Sequence, residues 1–237
     1  NKGFVDDDVV AIYDTAAFED EAAGTGKTVD VIGVALNGTD AGNYVPLPTT
    51  ATTTADITKR AVEIAAVVAS SRTYDGTNVA TLDFTDPTLV TKVDGDVVEA
   101  DPADVDATFA DADAGLVKNV TVTHIGLTGA DAPNYSLTLP TGLTADISPA
   151  ELTVTGVPSP TKVYDGTTDV TLNLSGAGLA GVVGTEDVTL DSSGVTDPAQ
   201  FASKDAGEPV EITYGAFALG GTANLDNYAL TQPVITG

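Results

Sequence analysis

Lys162-Val163-Tyr164-Asp165-Gly166-Thr167 decides how this chain is read, because Arg72-Thr73-Tyr74-Asp75-Gly76-Thr77 stands 90 residues before it. A return at a long fixed offset marks a repeat architecture. Other points keep the register. Thr54-Ala55-Asp56-Ile57 comes back as Thr144-Ala145-Asp146-Ile147, again 90 residues on. Asn43-Tyr44, Asn134-Tyr135 and Asn227-Tyr228 are spaced by 91 and 93. Val5-Asp6-Asp7-Asp8-Val9-Val10 matches Val93-Asp94-Gly95-Asp96-Val97-Val98, and Phe18, Phe109 and Phe201 each precede a glycine by six residues.

These matches divide the chain into a partial repeat over 1–57, a complete one over 58–147, and a nearly complete one over 148–237. The first lacks the Tyr-Asp-Gly segment and the opening strands. Strands without their partners leave core and sheet edges open. The expectation is therefore that these residues belong to a longer repeat chain. Completion in trans by a strand of the same protein is the alternative.

Within a repeat the pattern is that of strands. Leu152-Thr153-Val154-Thr155, Val120-Thr121-Val122-Thr123 and Val170-Thr171-Leu172-Asn173-Leu174 alternate with period two. Turn residues recur at Asp75-Gly76, Asp94-Gly95, Pro140-Thr141-Gly142 and Asp165-Gly166. The Ala/Val run between Ile57 and Ser70 invites a helix. Its counterpart after Ile147 carries Pro149, Pro158 and Pro160, so both read as strand. The fold expected is all-β, as tandem Ig-like β-sandwich repeats, with β-grasp-like repeats as the alternative.

Composition removes several functions. Of 237 residues, 35 are Asp or Glu and 9 Lys or Arg, a formal net charge of −26; Cys, Met and Trp are absent and His124 is the single histidine. No disulfide, thiolate metal site or cysteine nucleophile can form. A surface this acidic repels phosphate backbones and anionic lipids, which argues against nucleic-acid binding and membrane insertion. No run of about 18 apolar residues offers a transmembrane helix. The hydrophobic fraction of 42% is that of a folded chain.

The ordered set made by the Lys162–Thr167 motif, Phe109 with Asp113-Ala114-Gly115, and the segment from Leu127 through Asn134-Tyr135 to Leu137 resembles the YDG-type repeat of large bacterial surface proteins, the filamentous-haemagglutinin-like adhesins and related exoproteins. That resemblance implies an extracellular, cell-surface location and a stalk or adhesive role. It implies neighbouring repeats or subunits of the same protein as partners, with a host or matrix surface beyond them, and no catalytic residues.

Individual residues are weighed against plain structural roles. In Tyr74-Asp75-Gly76 and Tyr164-Asp165-Gly166 the Asp-Gly pair suits a tight turn, and the tyrosine suits a buried anchor. Tyr44, Tyr135 and Tyr228 read as strand-end anchors rather than sugar platforms. Asp111 and Asp113 have the alternate spacing of Ca²⁺ ligands, but the solvated-loop reading is preferred. The acidic clusters at Asp6-Asp7-Asp8, Asp94/Asp96 and Glu186-Asp187 are read the same way. Lys27 and Lys118 align, as isopeptide lysines would. His124 reads as a solvent-facing strand residue. The function expected is a non-enzymatic scaffold, with a glycan- or protein-binding adhesive module as the alternative.

Overall fold

Alternation in the sequence becomes alternation in burial. Ala150–Thr155 buries Ala150 and Leu152 and turns Glu151 and Thr153 outward, and Arg60–Ala65 buries Val62 and Ile64 in the same way. Thr and Val fill such half-buried pleats well. The computed structural model describes residues 7–45, 48–85, 87–207 and 209–237. Among them the regular elements are strands and three short 3₁₀ turns, with no α-helix, so the fold is all-β.

The Ala/Val run is strand, as its proline-bearing counterpart requires. Thr50–Ile57 is followed by Arg60–Ala65 and Val68–Ala69, with a break at Ala66, whose φ is +63°. The alternating stretch from Val170 forms less strand than its pattern suggests, only Asp169–Val170. Asn173 Oδ1 accepts from the Ser175 N–H at 3.1 Å and its hydroxyl at 2.8 Å, which turns the chain where the strand would continue.

The chain forms two compact units, each discontinuous in sequence. One takes Asn1–Ala66, Asp86–Val105 and Ile125–Pro140; the other takes Val67–Thr85, Asp106–His124 and Thr141–Gly237. The second repeat thus contributes to both. The first unit contains the junction of repeats one and two, and the second unit that of repeats two and three.

In the first unit Thr15–Phe18, Gly24–Ile32 and Thr50–Ile57 make an antiparallel sheet. Arg60–Ala65 lies between antiparallel Thr88–Val90 and parallel Tyr135–Thr138, with Tyr135 opposite Arg60. The second unit repeats that design: Ala150–Thr155 lies between antiparallel Gly178–Ala180 and parallel Tyr228–Thr231, with Tyr228 opposite Ala150. Each of these tyrosines enters its strand from a 3₁₀ turn, Ala132–Asn134 or Leu225–Asn227, and Ala41–Asn43 leads to Tyr44 in the same way.

Val62, Val98 and Tyr135 form a core in the first unit, backed by Leu89, Leu127 and Leu137. Val170, Ala199, Ile212 and Ile235 form one in the second. Among the described residues of repeat one no side chain is buried. Phe18 is 39% exposed, whereas its counterpart Phe109 is 2% exposed beneath the Arg72 guanidinium, 5.4 Å from the ring centre.

Leu152 is fully buried, so Leu152→Ala should cost about 2–5 kcal/mol. Leu116, 79% exposed, should change stability by about 0.5 kcal/mol or less on the same truncation. Urea unfolding followed by circular dichroism measures both.

Candidate functional site at the repeat junctions

The Tyr-Asp-Gly-Thr segments fold onto themselves. Asp75 Oδ1 accepts from the Thr77 N–H and hydroxyl, both at 2.8 Å, and Asp165 Oδ1 accepts the same pair from Thr167 at 2.9 Å. Gly76 and Gly166 sit at φ +80° and +84°, the left-handed region that side chains disfavour. Gly76 is constrained twice, since a Cβ there would lie 3.3 Å from Val183 Cγ1, while Gly166 faces open space. A basic residue three positions before each aspartate locks the turn. Arg72 pairs with Asp75 and donates to the Thr77 carbonyl; Lys162 Nζ lies 2.9 Å from Asp165 and donates to the Asp169 carbonyl at 2.7 Å. The Arg72 and Lys162 hydrogen bonds hold the Asp75 and Asp165 carboxyls down at about 2.

The two Tyr-Asp-Gly tyrosines differ. Tyr164 is 61% exposed, whereas Tyr74 is 8% exposed within the junction of repeats two and three. There Tyr74 donates its hydroxyl to Glu186 Oε1 at 2.6 Å, and Tyr228 donates to Glu186 Oε2 at 2.8 Å. The two rings meet edge to face, 5.6 Å between centres at 77°. The Tyr74 N–H bonds to the Ser148 carbonyl at 2.8 Å, and the Val183 N–H to the Tyr228 oxygen at 3.2 Å. The hydrogen bond to the Glu186 carboxylate, helped by burial, pushes the Tyr74 hydroxyl up to about 12. Burial, then Glu186, raises Tyr228.

Every repeat has this tyrosine–acid pair. Tyr135 donates to Asp96 Oδ2 at 2.5 Å and accepts from the Val93 N–H at 3.1 Å. Tyr44 donates to Asp7 Oδ2. The asparagine before the tyrosine reaches back to the preceding repeat. Asn227 is 2% exposed; its Oδ1 accepts from the Ala114 N–H at 2.7 Å and its Nδ2 donates to Asp113 Oδ1 at 2.8 Å. Asn134 Oδ1 accepts from the Ala23 N–H at 2.8 Å. Each Asn-Tyr pair thus binds two repeats, the tyrosine its own and the asparagine the one before.

Asp111 and Asp113 are engaged in that arrangement. Asp111 Oδ1 pairs with Lys118 and accepts from the Asp113 N–H at 2.9 Å, while Asp113 faces Asn227. Lys27 pairs with Asp20 in the same way, so the aligned lysines end on carboxylates. Among the described residues no group of three or more His, Cys, Asp or Glu side chains is placed to hold a metal ion. His124 is exposed on Gly115–Thr128.

Glu186, Asp96 and Asp7 are the residues that reading the sequence missed, as it assigned their clusters to solvated loops. Its register there is also corrected by one residue. Gly38 packs on the Asp8 carbonyl, Gly129 on that of Val97 and Gly221 on that of Asp187. Asp7, not Asp8, is therefore the equivalent of Asp96. A run of three aspartates fits either register by letter, and the signal that separates them is the glycine beyond, which cannot carry a Cβ against that carbonyl.

The fold and these junctions define a tandem all-β repeat protein whose units are joined by recurring polar side chains. A family model described as the YDG domain matches residues 1–54, 58–142 and 148–235, and the chain belongs to that family. No curated protein and no solved structure matches it.

Asn227→Ala strands the Ala114 N–H and Asp113, and should lower stability by about 1–3 kcal/mol. Asn43→Ala, at an exposed position, should cost less than about 0.5 kcal/mol; urea titrations compare them. The raised Tyr74 value fixes a pH dependence. Its contribution is fully present below pH 10 and is lost as pH rises through about 12. Depressed Asp75 and Asp165 act oppositely, contributing above pH 3.8 and losing that contribution as pH falls through about 2. Tyr74→Phe should flatten the alkaline decline measured by thermal unfolding between pH 9 and 12.

Proposed function

We propose that the chain is a non-enzymatic repeat segment of a bacterial extracellular surface protein or fibre, where it serves as a stalk or adhesin scaffold. The observation that carries this reading is where the recurring polar residues are used. Tyr74, Tyr135, Tyr228, Asn134, Asn227 and their acids bond to one another or to the backbone of the adjoining repeat. A scaffold needs this at every repeat, whereas a catalytic constellation need occur only once. Membership of the YDG domain family and the formal charge of −26 accord with a soluble exported repeat array. Neighbouring repeats and other copies of the protein are its partners, with a host or matrix surface as the distal target.

An adhesive module would carry a distinct aromatic patch on one repeat. Repeat one does expose Tyr13 and Phe18, at 62% and 39%. Phe18 is exposed where Phe109 has Arg72 above it, so its exposure reflects a missing cover rather than a platform for a ligand.

Antibodies raised against the chain should label intact cells of the source organism, and protease added outside those cells should remove the label. Labelling that requires permeabilisation would sink the surface reading.

A further inference from the structure

We propose that the cleft at the junction of repeats one and two is a socket for a Tyr-Asp-Gly strand, and that residues 162–167 of a second copy of this chain fill it. The cleft measures about 330 Å³, and its lining includes Ala23, Ile57, Thr58, Asp96, Asn134 and Tyr135. Their counterparts at the junction of repeats two and three are Ala114, Ile147, Ser148, Glu186, Asn227 and Tyr228, and that junction holds Tyr74. Ser148 accepts its N–H, Glu186 its hydroxyl, and Tyr228 meets its ring. Arg72–Thr73 pairs in parallel with Ile147 and Ser148. The first junction has the corresponding socket residues, but repeat one carries no Tyr-Asp-Gly segment.

The sheet edge agrees. Leu143–Ser148 has partners on both sides, Gly115–Thr128 and Arg72–Thr73, whereas its counterpart Thr50–Ile57 ends its sheet, paired only with Gly24–Ile32. An open edge takes an added strand through main-chain hydrogen bonds, and a side-chain pocket then supplies selectivity. Here the pocket selects tyrosine. Asp96 is positioned to receive its hydroxyl and Tyr135 to meet its ring.

The donor is present on the same chain. Tyr164 is 61% exposed, and its turn is already set by Asp165, Thr167 and Lys162, so little order is lost on insertion. Donor and socket lie on different repeats. The contact is therefore heterologous and propagates head to tail instead of closing as a two-fold dimer. With every copy at a formal charge of −26, salt should favour it by screening repulsion.

Sedimentation velocity on the 237-residue chain, up to about 1 mM, covers the effective concentration a short tether gives such a contact. Wild type should form dimers and larger species as concentration rises. Tyr164→Ala should stay monomeric throughout, with an unchanged circular dichroism spectrum because the residue is exposed. A peptide of residues 159–169 should dissociate the oligomers, and its Tyr164→Ala form should need about tenfold more. A wild type that is monomeric at about 1 mM, association that survives Tyr164→Ala, or two peptides of equal potency would each overturn the proposal.

Discussion

One carboxylate holds the best-ordered junction of this protein together. Glu186 receives the hydroxyls of Tyr74 and Tyr228, one on each oxygen, and the two belong to successive repeats. Hydrogen bonds to a charged acceptor are stronger than neutral ones, and a half-buried carboxylate without them would be costly. The junction is therefore specific in both directions. The tyrosines need an acid at that position, and the acid needs both tyrosines. Asn227 adds a second link beside it, through the Ala114 N–H and Asp113.

The same logic explains how so acidic a chain folds. With 35 acids and 9 basic residues, charge cannot be neutralised pair by pair. The cations are placed where a motif needs them. Lys27, Arg72, Lys118 and Lys162 each meet an aspartate of a turn or of the loop before a repeating glycine. Elsewhere, hydroxyls and backbone N–H groups serve as the donors. Threonine and tyrosine are thus both strand formers and counterparts to the acids.

Much of the fold was legible because repetition tests each reading. The Ala/Val run after Ile57 looks helical alone, but prolines in the aligned segment after Ile147 exclude a helix there, and both are strands. Tyr-Asp-Gly was legible as a turn because Asp and Gly have few other reasons to recur together. What stayed hidden was pairing across distance. Asn227 lies 113 residues from Ala114 and Tyr74 112 from Glu186, and no local pattern marks such partners. The acids were hidden by abundance, since in a chain with 35 of them an acidic cluster carries little information. Period two also overstated the strand at Val170, where the Asn173 side chain bends the backbone.

Differences between the junctions follow from one missing segment. Without an Arg72 counterpart Phe18 lies exposed, and without a Tyr74 counterpart the first junction is a cleft. A double-mutant cycle tests most directly whether the tyrosine–acid contact joins the repeats. Tyr74→Phe, Glu186→Ala and the double variant are compared with wild type by urea unfolding. The account predicts a coupling of about 1–3 kcal/mol between the two positions. Additivity within about 0.3 kcal/mol would contradict it, and would leave the contact as a consequence of repeat packing rather than its cause.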